Sequence, residues 1–397
     1  MQTTPTTQPT ETQSVSNVQV LINFLRQNYE FHENVLSGKV EFRQLEQSDF
    51  KELTDKALNS IAIDAEMSLP EIKVSKSKVR NIIFSNETKV WNPIREYLCN
   101  LPTWDGRNRM NELFGRLPGV NSEHIWRLSV WLRGAVAHWL QLDELHGNEL
   151  VPTLIGHQGC GKTTFCKLML PQQLRPYVLD HLNFSNKFDK EMALTNNLLV
   201  ILDEIEQIRP SQYAELKHTL SKNRVNGREI YARTQNDRLR FASFVATTNN
   251  PKPLNDPTGS RRFICINIPA GMEIDNTQPI DYDQLYAQVL AEVTEQKLRY
   301  WLTTEEEQRL VTANVQFQHI QDLDEIVDEC FRLPKEGEHP LMLTADSILD
   351  IISKHYNYVQ KNHSTGILLS QALRMKGYKK EHRHSGNYYF IVPRNAA

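Results

Sequence analysis

The stretch Val151-Pro152-Thr153-Leu154-Ile155, followed at once by Gly156-His157-Gln158-Gly159-Cys160-Gly161-Lys162-Thr163, decides the fold class. The first five residues read as a buried strand. The next eight fit the G-x-x-x-x-G-K-[ST] spacing of a P-loop, and Thr164–Leu170 continues as a helix that Pro171 stops. The glycines let backbone N–H groups come close to phosphate, and the helix start adds positive potential. On this reading Lys162 reaches the β- and γ-phosphates and Thr163 ligates Mg²⁺. Gly156, Gly159, Gly161 and Thr164 complete the nucleotide contacts, so the implied cofactors are ATP and Mg²⁺.

Three downstream segments extend the reading. Leu198-Leu199-Val200-Ile201-Leu202 is an apolar run that delivers Asp203 and Glu204 at its end. Asp203 suits Mg²⁺ through water, and Glu204 suits a general base that polarises the attacking water. Phe244–Thr248 is another apolar run, ending in Asn249 and Asn250. An amide between the first two motifs can orient the water, which assigns that role to Asn249. Asp256-Pro257-Thr258-Gly259-Ser260-Arg261-Arg262 then places twin arginines before the apolar run Phe263–Ile268. A guanidinium suits γ-phosphate charge. Short apolar runs alternating with helical patterns predict a parallel sheet of α/β type.

Working outward, residues 1–17 are polar and predict a disordered tail. Residues 18–149 read as α-helical, with apolar periodicity at Val20, Leu21, Phe24 and Leu25 and again from Ile125 to Leu140. Residues 150–325 form the α/β block. Residues 326–397 contain a linker-like Pro/Glu-rich stretch, Leu333–Pro340, and after it read as two helices and a hairpin, the order of a winged helix. The 397 residues carry a net charge of −3, with 40% hydrophobic and 23% charged, so any polyanion-binding surface is local. No two of the five cysteines are in C-x-x-C spacing, which argues against zinc and, with scattered thiols, for a reducing cytoplasm. No apolar run approaches the length of a membrane span.

The four motifs in this order resemble the superfamily 3 helicases of viruses and mobile elements, a branch of the AAA+ ATPases. Within them the chain is similar to the virulence-associated protein E family over roughly residues 90–270. Trp91-Asn92-Pro93-Ile94-Arg95-Glu96-Tyr97-Leu98, Leu101-Pro102-Thr103-Trp104-Asp105-Gly106, Ala246-Thr247-Thr248-Asn249 and the twin-arginine segment carry the likeness. The resemblance implies an α/β P-loop AAA+ core with a helical N-terminal collar and a C-terminal winged-helix-like domain. It also implies a homo-oligomeric ring, commonly a hexamer, with nucleotide between subunits and Arg261 or Arg262 acting in trans. A channel-lining β-hairpin is implied over Ile230–Phe244, with Gln235–Arg238 at its tip.

The residues agree with a basic hairpin. From Lys217 to Arg240 seven Lys or Arg face only Glu229 and Asp237, a local net of +5. Arg228, Arg233, Arg238 and Arg240 are the candidate DNA contacts, to backbone phosphate rather than to bases. The C-terminal block has eight Lys or Arg between Lys354 and Arg394 against Glu381 alone. Relatives with an upstream primase domain differ from this chain, whose N-terminal block has no cluster of catalytic carboxylates, so priming is expected from a separate protein. The expected activity is ATP-driven DNA translocation or unwinding on single-stranded or forked DNA, in replication of a phage or mobile genetic element, with no membrane involved. The alternative is a nucleotide-gated DNA-binding switch, an initiator or anti-phage defence ATPase without processive unwinding.

Overall fold

Ser16 accepts a hydrogen bond from the Gln19 N–H and so starts α1 (Asn17–Asn28), which turns Leu21, Phe24 and Leu25 inward. The computed structural model describes residues 16–394 apart from 143–146, 181, 183–186, 206–207, 209, 223, 228–235, 255–256, 319–322, 336, 357–358, 360, 362 and 384–385. The polar tail expected at 1–17 therefore lies almost wholly outside the described residues. The chain divides into two units between Tyr97 and Leu98.

The first unit corrects the mostly helical expectation for 18–149, because it carries a four-stranded sheet beside its helices. After α1 come β1 (Tyr29–Asn34) and β2 (Lys39–Gln44), antiparallel with Phe31 opposite Phe42. Gly38 in their turn takes φ +66°, open to glycine at little cost. β3 (Lys51–Glu52) pairs with β2, α2 (Asp55–Ser68) and α3 (Lys76–Ile83) follow, and β4 (Lys89–Trp91) pairs in parallel with β1. The sheet order is β3-β2-β1-β4. Side chains of α1, α2, α3, Tyr29 and Val40 share one apolar core. Alternation at Tyr29, Phe31, Val40 and Phe42 has period two, which marks strands rather than helices. The helix α4 (Pro93–Cys99) spans the division.

The second unit begins earlier than the expected boundary at 149/150. It takes in α5 (Arg109–Phe114) and α6 (Ser122–Trp139), whose capping box pairs Asn121 with His124. The order then runs β5 (Val151–Ile155), α7 (Lys162–Leu168), β6 (Val178–Leu179), α8 (Lys187–Asn196), β7 (Leu199–Asp203) and α9 (Pro210–Ser221). It continues with β8 (Arg224–Gly227), β9 (Asn236–Leu239), β10 (Ser243–Thr248), β11 (Phe263–Asn267), α10 (Tyr282–Thr294) and α11 (Thr304–Asn314). Trp139 of α6 stacks on Tyr286 of α10 at 5.5 Å, and Arg133 pairs with Glu292 at 2.8 Å in the buried seam between them. That packing is why α6 belongs with the α/β block.

The central sheet has five parallel strands in the order β11-β5-β10-β7-β6. Every residue of β5 and β10 is buried, as expected of strands covered on both faces. β8 and β9 form a separate antiparallel ribbon. The last segment runs α12 (Leu323–Cys330), β12 (Phe331–Arg332), β13 (Leu341–Thr344), α13 (Ala345–His355), α14 (His363–Met375), β14 (Lys380–Arg383) and β15 (Gly386–Pro393). Its helices and β15 share their own core around Phe331, Ile348, Leu369 and Ile391. Among the described residues no helix is long and apolar enough to cross a membrane.

Arg240 is a structural cation at the foot of the ribbon. It is 0% exposed. Its guanidinium donates to the carbonyls of Leu220 (2.6 Å), Lys222 (2.7 Å), Ala242 (2.9 Å), Asn148 (3.2 Å) and Thr219 (3.4 Å). The carbonyls of residues 219 and 220 belong to the last turn of α9 and that of 222 follows it, where a cation also meets the negative end of the helix dipole. Arg240→Ala strands these acceptors in the interior, and chemical denaturation should show a loss of about 3 kcal/mol or more. Arg238→Ala, on a partly exposed position, should cost within about 1 kcal/mol. Equal small losses for the two would overturn the structural assignment of Arg240.

Candidate functional site

The loop between β5 and α7 folds back on itself through glycine. Gly159 and Gly161 take φ +85° and +89°, the left-handed region that β-carbons disfavour. At Gly156 a β-carbon would lie 3.1 Å from Ile268 and 3.2 Å from the Cys160 Sγ, so close packing also demands glycine there. The Gly156 N–H donates to the Thr248 carbonyl at 3.1 Å, which joins the loop to the end of β10. Thr163 and Thr164 follow Lys162 in the first turn of α7, half-buried and exposed respectively.

The parallel register brings the expected residues together. β10 lies between β5 and β7, pairing Thr248 with Ile155 and Thr247 with Asp203. The glycine-rich loop, Asp203 and Asn249 therefore leave the same edge of the sheet side by side. Lys162 is buried, and its ammonium donates to the Gly156 carbonyl (2.8 Å), the His157 carbonyl (2.8 Å) and the Asn249 Oδ1 (3.0 Å). Those bonds engage the three donors an ammonium has. The Thr247 hydroxyl donates to Asp203 Oδ1, an orienting contact that the motifs alone do not announce. Beneath them in α7, burial pushes the Cys166 thiol up to about 12, which keeps it neutral.

Glu204 is exposed and sits in the turn after β7 with φ +51°. A left-handed backbone at a non-glycine residue costs on the order of 1–3 kcal/mol and clusters at functional sites. The residues fit a divalent ion held mainly by substrate phosphate and water. Among the described residues no group of three or more His, Cys, Asp or Glu is suited to enclosing a metal. The exposed Asp203 carboxylate and the Thr163 hydroxyl are the oxygen donors at this edge, a sparse set of the kind Mg²⁺ accepts.

The twin arginines stand elsewhere. β11 runs beside β5 from Phe263 opposite Val151 to Asn267 opposite Ile155. Arg261 and Arg262 precede its first residue, at the sheet edge away from the loop. The separation along the strand is roughly 20 Å at about 3.3 Å per residue, beyond an arginine's reach. Within the chain Arg262 lies 3.0 Å from Glu149 and donates to the Ser221 Oγ at 3.2 Å. Arg261 pairs with Glu307 at 2.8 Å and has a side chain 43% exposed. The acidic partners Glu149 and Glu307 carry no motif signal in the sequence.

The hairpin expectation is corrected in register. Asn236–Leu239 is strand β9, with Arg238 opposite Val225 and Asn236 opposite Gly227, so residues 236–238 are not a tip. The ribbon begins at Arg224 rather than Ile230. Its connecting segment, with Arg228, Arg233 and Gln235, lies outside the described residues. Arg238 donates to the Asn196 Oδ1 at 2.8 Å on α8. Arg240, fully buried on carbonyls, is not a DNA contact.

A sequence profile of the virulence-associated protein E-like domain matches residues 98–319. That is over half of the 397-residue chain, and it begins where the second unit begins. No curated protein matches the chain. Among solved structures it is similar to the A-form apo NrS-1 C-terminal region, at 13% identity and TM-score 0.46 over 94% of this chain and 99% of that one. Another apo structure of the NrS-1 C-terminal region gives 12% identity and TM-score 0.44, over 94% and 98%. A structure titled SCCmec type IV Cch, active helicase, gives 10% and 0.34, over 92% of each chain. The profile match, the shared starting point at residue 98 and the motif residues gathered on one sheet edge agree: the chain belongs to the virulence-associated protein E-like domain family.

Proposed function

We propose that the chain is an ATP-dependent DNA helicase or translocase acting in replication of a phage or mobile genetic element. The observation that carries the reading is the meeting of Lys162 with Asn249 at 3.0 Å, beside Asp203, on the edge where the glycine-rich loop leaves the sheet. In this reading the loop amides and Lys162 bind the β- and γ-phosphates, with Gly156, Gly159, Gly161, Thr163 and Thr164 shaping the cradle. Phosphate oxygens compete with the carbonyls that now hold the ammonium. Mg²⁺, when bound through Thr163 and Asp203, neutralises developing phosphate charge. Thr247 keeps the Asp203 carboxylate turned to its task. Glu204 takes a proton from water, and Asn249 holds that water in line.

Arg261 and Arg262 supply charge to a neighbouring subunit's nucleotide, which makes the working form a ring, proposed as a hexamer. Their distance from their own loop supports action in trans. The ribbon β8–β9 and its connecting segment contact single-stranded or forked DNA, with Arg228 and Arg233 as the proposed phosphate contacts. The order α12, β13, α13, α14, β14, β15 supports reading the last segment as a winged helix.

Glu204→Gln should still bind ATP while its turnover falls by about 10²–10⁴, the usual worth of a general base. Turnover within about twofold of the parent chain would remove Glu204 from the mechanism. Arg261→Ala or Arg262→Ala should each abolish hydrolysis alone, and mixing either with Lys162→Ala should restore part of it through composite interfaces. Absence of rescue at every ratio, with assembly intact, would point to a site complete within one subunit. Replacing Arg228 and Arg233 together with Ala should lower the salt slope of single-strand binding by up to about 0.7 per lost phosphate contact and leave basal ATPase in place. Unwinding of a forked duplex at the parent rate would exclude the ribbon as the DNA contact.

A further inference from the structure

A strap of chain after β11 lies against the outside of the glycine-rich loop. Its first residue past the strand, Ile268, donates its N–H to the Ile155 carbonyl at 2.8 Å. Further on, the Ile274 N–H donates to the Cys160 carbonyl at 3.0 Å, and the Asn276 Nδ2 donates to the Gly161 carbonyl at 3.0 Å. A β-carbon on Gly161 would lie 2.6 Å from that same Nδ2 and 3.3 Å from the Ile274 carbonyl oxygen. The contact is as close as a backbone without a side chain permits.

The strap is itself held on both sides of this contact. At Gly119, φ +84°, a β-carbon would come within 2.5 Å of the Asn267 carbonyl oxygen and 3.2 Å of the Pro269 ring, so the turn before α6 presses on the end of β11 and the strap's start. Arg116 donates to the carbonyls of Gln278 (2.8 Å) and Pro279 (2.6 Å) at its end. Between them Asp275 accepts from the Thr277 N–H and hydroxyl and from Gln278 Nε2. The Thr277 hydroxyl bond, the largest influence, holds the Asp275 carboxyl below the usual carboxylate range. Asn276 thus stands on a braced segment rather than on a loose loop.

The planar trans peptide turns these contacts into a statement about the opposite face of the loop. In each peptide unit the C=O and the following N–H point in opposite directions. The strap holds the carbonyls of Cys160 and Gly161 from outside. The N–H groups of Gly161 and Lys162, in those same two peptide units, therefore point inward. Successive inward N–H groups form an anion-binding concavity. The Gly161 carbonyl also accepts the Phe165 N–H at 2.9 Å, the first bond of α7, so Asn276 adds a second donor to an acceptor that α7 already uses. The Asn276 Oδ1, meanwhile, is buried without a hydrogen-bond partner among the described residues. A side chain kept for packing alone gains nothing from leaving its own acceptor unmet.

We propose that Asn276 is a positioning residue that fixes the Gly161–Lys162 peptide from behind, so that its N–H is aimed at the β-phosphate of a bound nucleoside triphosphate. The inference rests on the nucleotide reading of the Gly156–Thr163 loop. Asn276 touches no phosphate; it acts through the peptide it grips, and Arg116 keeps the strap at the right height.

The test uses the full-length chain and two substitutions. Asn276→Asp keeps the shape of the side chain and sets an acceptor against the Gly161 carbonyl, and Asn276→Ala removes the group. Binding of Mg-ATP and Mg-ADP, steady-state hydrolysis and thermal unfolding are measured for both, with the parent chain and Lys162→Ala alongside. Both variants should bind ATP and ADP about tenfold more weakly, as expected for one lost hydrogen bond next to the ligand. KM for ATP should rise by a similar factor while kcat stays within about threefold, because the peptide N–H meets phosphate equally before and during the reaction. Should Asn276→Ala not fold, Asn276→Asp carries the test alone. A parent chain that binds no ATP would overturn the nucleotide reading itself. Parent affinity lost in Lys162→Ala but unchanged in the Asn276 variants would overturn this inference and leave that reading standing. A lowered unfolding temperature with unchanged affinity, or a fall in kcat at constant KM, would overturn it as well.

Discussion

The parallel ladder that sets β10 between β5 and β7 is the constraint on which the rest of the second unit depends. Strands in one sheet lie about 4.8 Å apart. Two ladder steps therefore bring the carboxylate after β7 and the loop after β5 to within about 10 Å of each other, with one strand end between them. Asn249 occupies that middle position, and the Lys162 ammonium reaches it directly. A sheet in simple chain order would give the same motifs without the same neighbours. The chemistry proposed for the loop requires this crossing of the chain more than it requires any single side chain.

Much of the remaining design concerns cations taken out of water. Lys162, Arg133 and Arg240 are all buried, and a buried charge is tolerable only when its donors are met. Arg133 meets Glu292. Lys162 and Arg240 meet main-chain carbonyls, which are fixed in place by the secondary structure that carries them. The difference matters for what each cation can do. The acceptors of Lys162 are loop carbonyls and an amide, which phosphate oxygens replace in the proposed function. Those of Arg240 lie in the interior, and no ligand can take their place.

The sequence was legible where chemistry demands a fixed spacing. The glycine-rich loop, the acidic pair and Asn249 end or follow the strands that the apolar runs predicted, because a buried strand stops where glycine or polar residues begin. The helical reading of 18–149 failed where a period of two at Tyr29 and Phe31 was hidden beside a strongly periodic helix. The hairpin bounds carried over from the resemblance miss the register, and charge counting cannot distinguish an arginine aimed at solvent from one folded onto carbonyls, as Arg240 is. Thr247, Glu149 and Asn276 carry no functional signal of their own in the sequence. Each acts through a partner distant in sequence, and a single chain without its fold offers no signal for such a pairing.

The foot of the ribbon has a mechanical meaning. Arg240 follows β9 by one residue, and its bonds reach the end of α9, the approach to β5 and the start of β10. A joint made of short bonds to rigid main chain does not swivel. A pull applied along β9 is borne as tension by α9 and by the strand that leads into the glycine-rich loop, with no slack link at residue 240 to absorb it. The ribbon is built as a cantilever with a clamped base, whose root at residue 240 adds no compliance of its own.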